Sequence, residues 1–244
     1  LNENTLTYNT KINKSRINAM VGFSIQENTN FYSGYTASYI EDESLGIDGL
    51  DLSTSIVPES MTKKWSLASF LARLNYDYND KYLFTFSFRA DGSSKFRKND
   101  VWGYFPSGAF AWKMKQEDFM KSLSFVSDAK LRVSYGTTGN NRVDEYATYS
   151  GITYPYVNYY SFNNGNPERG AALTTTGNVD LKWETTAQFN IGYDLGFFKQ
   201  KLRLVADYYS KRTTDLLLNA QLPHTTGYLT SFQNIGNVKN EGFE

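Results

Sequence analysis

The sequence predicts an all-β fold: an antiparallel up-and-down segment of a transmembrane β-barrel, about nine strands forming an open, curled sheet. Three observations carry this expectation. Apolar and polar residues alternate with a period of two over long stretches, the apolar sets carry no charge, and short connections alternate with long ones. Alternation alone fits a barrel wall and a soluble sandwich equally well. The other two observations favour the membrane, because a Lys or Arg facing lipid at mid-depth costs roughly 2–4 kcal/mol, and because such barrels have short turns at one end and longer loops at the other.

The strands follow in order. Between Arg16 and Gln26 one face carries Ile17, Ala19, Val21, Phe23 and Ile25, with Asn18, Met20, Gly22 and Ser24 opposite. From Ala68 to Tyr78 the apolar set is Ala68, Phe70, Ala72, Leu74, Tyr76 and Tyr78; Ser69, Leu71, Arg73, Asn75 and Asp77 face the other way. In the next strand Tyr82, Phe84, Phe86, Phe88 and Ala90 alternate with Leu83, Thr85, Ser87, Arg89 and Asp91. The longest run, Trp183 to Phe197, sets Trp183, Thr185, Ala187, Phe189, Ile191, Tyr193, Leu195 and Phe197 against Glu184, Thr186, Gln188, Asn190 and Asp194.

Turns test the pattern. With Asn79 and Asp80 in a tight turn, Tyr78 pairs with Tyr82, Tyr76 with Phe84, Leu74 with Phe86, Ala72 with Phe88 and Phe70 with Ala90. A one-residue slip would turn one strand inside out. Around Lys199 and Gln200, Phe197 meets Leu202, Leu195 meets Leu204 and Tyr193 meets Ala206. Short connections fall near 13–15, 79–81 and 198–201; long ones run over about 27–64, 92–103, 138–181 and 214–229, and a medium one over 115–128 has room for a helical turn. The short turns are assigned to the periplasm. Tyr76, Tyr78, Tyr82, Trp112, Tyr193 and Phe197 then cluster at that interface, where amphipathic rings belong.

Composition agrees. The chain has 244 residues, 25 basic and 25 acidic, one histidine and no cysteine. Charge balance leaves no basic footprint for nucleic acid, and disulfides and thiolate metal sites are excluded. No apolar run approaches the roughly 20 residues a membrane helix needs. The 19 Tyr, 17 Phe and 4 Trp supply rings for interfacial girdles.

Catalysis finds no support. His224, the only histidine, stands in a long connection beside Pro223 and Thr225, and no nucleophile motif surrounds it. No cofactor is expected. Glu41, Asp42, Glu43, Asp48 and Asp51 could offer calcium oxygen ligands, but they lack the spacing of a dedicated calcium loop and read as a solvated acidic stretch. Tyr154, Tyr156, Tyr159, Tyr160 and Phe162 are candidates for contact with a substrate or partner through their rings. Arg73, Asn75, Arg89, Asp91 and Gln188 are candidates for the inward face, where polar side chains belong in a barrel.

Six separated segments, in order, resemble one family: ARLNYDYNDKYLFTFSFRADGSSKF (72–96), YFPSGAFAWKMKQEDFMK (104–121), KLRVSYGTTGNN (130–141), LKWETTAQFNIGYDLGFF (181–198), DYYSKRTTDLLL (207–218) and NIGNVKNEGFE (234–244). They are similar to the middle and later barrel of the SusC/RagA family of TonB-linked outer-membrane transporters. That resemblance implies a 22-stranded barrel around an N-terminal plug, energy delivered by TonB, a SusD-like surface lipoprotein as cap, and uptake of oligosaccharides or peptides across the outer membrane of a Gram-negative bacterium. It implies that Arg73, Asn75, Arg89, Asp91 and Gln188 touch the plug or line the path. Residues 1–244 are expected to be part of the barrel domain, with plug, signal peptide and C-terminal strands outside the chain. A soluble carbohydrate-binding β-sandwich is the alternative, and it requires Phe84, Phe86, Phe88, Phe189 and Ile191 to pack in a core. An outer-membrane enzyme of barrel form is a third reading, disfavoured because no site is visible.

Overall fold

A computed structural model describes residues 1–40, 42–97, 100–153, 159–161, 164–228 and 230–244. The strands are β1 (Asn2–Ile12), β2 (Ser15–Ser38), β3 (Ser55–Tyr78), β4 (Tyr82–Ser93), β5 (Trp102–Lys113) and β6 (Val126–Asn140), then β7 (Gly151–Thr153), β8 (Tyr159–Tyr160), β9 (Glu168–Arg169) and β10 (Ala172–Thr175). After these come β11 (Glu184–Phe197), β12 (Leu202–Thr214), β13 (Leu217–Gln221), β14 (Thr230–Asn234) and β15 (Val238–Phe243). Nine strands form one sheet in the order β1-β2-β3-β4-β5-β6-β11-β12-β15, and every pair in it is antiparallel. The pairs β7–β10, β8–β9 and β13–β14 are small sheets built from the long connections.

Both expected registers are present: Tyr78 to Phe70 pair with Tyr82 to Ala90 as read, and Phe197, Leu195 and Tyr193 pair with Leu202, Leu204 and Ala206. The first turn works because Asn79 and Asp80 adopt positive φ (56° and 55°), and the Lys81 N–H donates to the Tyr78 carbonyl at 3.0 Å. Asn and Asp tolerate that region better than other side chains, and such primed turns match the twist of the strands they join.

One face of the sheet is a band of uncovered apolar side chains. Phe86 is 57% exposed, Phe88 45%, Ile191 38% and Phe189 37%. These are residues that a sandwich would have to bury. A water-facing band of this extent is unfavourable, whereas hydrocarbon accepts it. At the short-turn end the band closes with stacked rings: Tyr78 and Tyr82 lie 6.4 Å apart, Tyr82 and Trp112 6.3 Å. Below them a 3-10 turn at Met114–Gln116 and the single-turn helix α1 (Asp118–Lys121) fill the medium connection. Glu117, between the two, accepts from Lys81 Nζ at 2.8 Å, from the Tyr82 hydroxyl at 2.6 Å and from Trp112 Nε1 at 3.2 Å. Those bonds, Lys81 foremost, hold its carboxyl down at about 2.

Three expectations need correction. The connection expected over 27–64 is mostly strand: β2 and β3 stay paired from Glu27–Ser66 out to Ser38–Ser55. Beyond Gln26 and Leu67 neither β1 nor β4 pairs with them, and past the bonds of Lys63 to Asp144 and Lys64 to Tyr146 the two strands continue as a ribbon of their own. Most of the ribbon is exposed on both faces, so the alternation lapses and the pairing becomes invisible to a period-two count. At its tip a 3-10 segment spans Glu43–Leu52, with Asp42 capping it through the Ser44 N–H at 3.0 Å; Glu41 lies outside the described residues. Trp183 is the second correction. The strand begins one residue later, and Trp183 is buried with Phe96, Phe105, Val143 and Leu181, its Nε1 donating to the Val101 carbonyl at 3.2 Å. The long connection over 138–181, third, contains the β7–β10 and β8–β9 sheets, and the one expected over 214–229 reaches on to Asn234 with β13 and β14 paired. Loop residues therefore build a hydrophobic cluster at the long-loop end.

Candidate functional site on the polar face

The face opposite the apolar band is organised in cross-strand rows. One row passes through Asn9, Asn18, Asn75, Thr85, Ala109, Ser134 and Asn190. Its side chains form a ladder. Asn18 donates to Asn9, Asn75 Nδ2 donates to Asn18 Oδ1 at 3.0 Å, and Thr85 donates to Asn75 Oδ1 at 2.9 Å. Further along, Asn190 Nδ2 donates to Ser134 Oγ at 3.3 Å, and Gln188 Nε2 donates to Asn190 Oδ1 at 2.9 Å. The neighbouring row carries Arg73, Ser87, Ser107, Gly136 and Gln188, with the Ser87 and Ser107 hydroxyls 2.6 Å apart.

Towards the long-loop end Arg89 Nε donates to both oxygens of the buried Asp91 carboxylate at 2.7 and 2.8 Å, and Arg89 Nη2 reaches Ser69 Oγ at 3.1 Å. Towards the short-turn end Arg16 bonds Asp77 at 2.7 Å and also Asp80. Arg132 bridges two carboxylates, Asp194 at 3.0 Å and Asp207 at 3.0 Å. Gly192 makes room for that bridge: a Cβ there would stand 2.0 Å from an Asp207 oxygen and 2.8 Å from an Arg132 nitrogen. Paired in this way, the charges avoid the penalty of an isolated ion.

A trough of about 730 Å³ runs across β4, β5, β6 and β11 on this face, lined by Arg89, Asp91, Ser87, Ser107, Gln188 and Asn190 among others. Four adjacent strands lining one hollow means that the polar face is the concave one. Arg89, Asp91 and Gln188, expected to face inward, meet in the trough, while Asn75 belongs to the adjoining amide ladder. Arg73 is exposed in its row and makes no ion pair among the described residues. Of the ring candidates, Tyr154, Tyr156 and Phe162 lie outside the described residues. Tyr159 and Tyr160 form β8, and the half-exposed Tyr160 approaches Glu168 at 3.4 Å. The Arg132–Asp194–Asp207 bridge was not read from the sequence. An inward-facing glycine opposite Asp207 is its only local signal.

A sheet with an apolar band on its convex side, rings at one edge and a polar concave trough defines a membrane-barrel wall. The chain belongs to the TonB-dependent receptor family: the family model described as "TonB dependent receptor-like, beta-barrel" matches residues 2–244. A TonB-dependent receptor of Formosa agariphila is 39% identical over 255 residues, covering all of this chain and 23% of that protein. The SusC receptor of Bacteroides thetaiotaomicron is 37% identical over 180 residues, covering 73% of this chain and 18% of SusC. Among solved structures, a chain of the RagAB peptide transporter superposes with a TM-score of 0.83 at 28% identity, over 99% of this chain and 26% of that one. The similarity places the chain in the SusC/RagA branch of the family. Its residues span about a quarter of the length of the Formosa receptors. The sandwich alternative is overturned by the family match and by the exposed band.

Proposed function

We propose that this sheet is wall of an outer-membrane importer in a Gram-negative bacterium, taking up oligosaccharides or peptides with energy supplied through TonB and with a SusD-like lipoprotein over its outer mouth. The observation that supports this reading most is the contrast between faces: a concave trough lined by amides, hydroxyls and paired charges, backed by an uncovered apolar band. Polar solutes travel along such a trough while lipid covers its back. On this reading Arg73, Asn75, Arg89, Asp91 and Gln188 touch a plug domain or line the path, and Tyr154, Tyr156, Tyr159, Tyr160 and Phe162 meet substrate or lipoprotein at the outer mouth. The wall performs no bond chemistry and needs no cofactor.

The test uses the full-length receptor in its native host. It should fractionate with the outer membrane, shift in gel mobility on heating, and confer uptake of labelled oligosaccharide or peptide that disappears when TonB is deleted. A parent protein fully soluble without detergent, or uptake indifferent to its deletion, would overturn the proposal.

A further inference from the structure

The medium connection between β5 and β6 does not hang free of the sheet. It folds back over the apolar face at the short-turn end. Met120 of α1 is buried against Val126 and Ala129, with Met114, Leu195 and Phe197 packed around them. Ala129 pairs with Leu195, which belongs to the apolar set. Phe119 stands edge-on to Trp112 with centroids 6.3 Å apart, and Phe125 lies parallel to Phe197 at 6.2 Å. Each ring rests on a residue of the interfacial set, yet Phe119, Leu123 and Phe125 are themselves exposed. The turn between β11 and β12 adds Phe198, also exposed, whose N–H donates to the Phe125 carbonyl at 2.8 Å.

That turn has a strained backbone. Phe198, Lys199 and Gln200 all have positive φ (51°, 58° and 67°), a region unfavourable to L side chains and kept only where the surroundings impose it. The bond to Phe125 and another, from Gln200 N–H to Ser127 Oγ at 3.0 Å, hold the turn against the connection. The Gln200 amide lies over the concave face, since a Cβ on Gly196 would stand 2.7 Å from its oxygen. Lys199 and Lys201 stay exposed on either side of it in the chain. The acidic residues of the connection are already engaged: Glu117 by Lys81 at 2.8 Å and Asp118 by Lys121 at 2.6 Å. Lys115 Nζ donates to the Met120 and Leu123 carbonyls at 3.0 and 2.9 Å, and Asp128 shares a concave-face row with Gly196 and Arg203. Lys199 and Lys201 make no ion pair among the described residues. The exposed patch therefore carries surplus positive charge.

Exposed rings beside unpaired ammonium groups are how an interfacial segment meets a membrane: apolar side chains enter the acyl boundary and lysines meet phosphate. A soluble partner would have to enter lipid to cover Phe119 and Phe125, because Trp112 and Phe197 beneath them belong to the band. We propose that residues 114–125 and 198–201 dock an anionic phospholipid, its phosphate at Lys199 and Lys201 and its acyl chains along Phe119, Leu123 and Phe125. This goes beyond the import reading and requires only that the sheet stand in a membrane. The test is native mass spectrometry of the full-length receptor in detergent, incubated with phosphatidylglycerol or with phosphatidylcholine. Phosphatidylglycerol should be retained more strongly. Lys199→Gln combined with Lys201→Gln should weaken its retention about 20-fold, at roughly 5-fold per lysine. Lys199→Arg combined with Lys201→Arg, which keeps both charges, should stay within about 2-fold of the native receptor. Phe119→Ser should weaken both lipids about 3-fold, as loss of acyl contact predicts. Heat-shifted gel mobility shows that each variant is folded, and TonB-dependent uptake should be unchanged in all of them. Equal retention of the two lipids would overturn the proposal, and so would undiminished phosphatidylglycerol on the folded double-Gln receptor. Displacement of the lipid by inorganic phosphate would overturn it too, as would a receptor dimer that Phe119→Ser dissociates, since this face would then join two copies. Absence of uptake in the native receptor would instead strike the import reading and leave the lipid site standing.

Discussion

The two faces of the sheet share strands, register and twist, yet they are specified differently. Within the apolar band a residue need only be uncharged. Tyr76, Phe84, Phe110, Val133 and Ile191 follow one another across a single row with no bond linking them. On the polar face a residue is tied to partners: Asn75 to Asn18 and Thr85, Arg89 to Asp91 and Ser69, Arg132 to Asp194 and Asp207. Solvent quality constrains one side and geometry the other. Substitutions should therefore act by kind on the first face and by position on the second.

The sharpest way to break this contrast is charge in the band. Phe86→Arg, introduced in the full-length receptor, should cost roughly 2–4 kcal/mol of folded stability, read by urea titration in detergent or liposomes. Phe86→Leu should cost far less, because it changes the residue and keeps its kind. On the opposite face Gly192→Ala, a change of one methyl, should cost about 1–2 kcal/mol, since the Cβ displaces the ends of Asp207 and Arg132 and opens their bridge. If alanine at position 192 proves neutral, the bridge is not held by that gap. Ser87→Ala leaves the Ser107 hydroxyl without its 2.6 Å partner and should cost about 0.5–1 kcal/mol.

Glu117 supplies the finest test, at the edge where the faces meet. Its carboxyl is held at about 2 rather than near 4.5 by Lys81, Tyr82 and Trp112. A group whose folded value is lowered contributes stability above the unfolded value and loses it as pH falls through the folded one. The difference in thermal midpoint between the native receptor and Glu117→Gln should thus be constant above pH 5 and shrink between about pH 4.5 and pH 2. A difference that instead grew on acidification would show that the carboxylate is not the form that holds the rings.

Legibility in the sequence follows the same division. The register around Asn79 and Asp80 could be read because each pairing there matches apolar with apolar on one face. The ribbon from Glu27 to Ser38 could not, because exposure of most of it on both sides removes the pattern while leaving the hydrogen bonds. Trp183 misled by parity: it continues the alternation of β11 but leaves the ladder to join loop residues in a cluster. Alternation does place Arg89, Asp91 and Gln188 inward. It cannot say that Arg132 meets carboxylates from two further strands, for that depends on β6, β11 and β12 being neighbours across the long excursion between Asn140 and Glu184.

The ribbon of β2 and β3 also has a mechanical side. Below Gln26 and Leu67 it is clamped between β1 and β4; Lys63 and Lys64 still bond Asp144 and Tyr146, and beyond them the two strands pair only with each other. At about 3.3 Å per residue the part beyond Asn30 and Lys63 is a cantilever on the order of 25 Å long. Bending stress in such a beam concentrates at its last tether, where Asn30 pairs with Lys63, and displacement is greatest at the tip, where the acidic 3-10 segment sits. A small rotation at the clamp sweeps that tip across several ångströms.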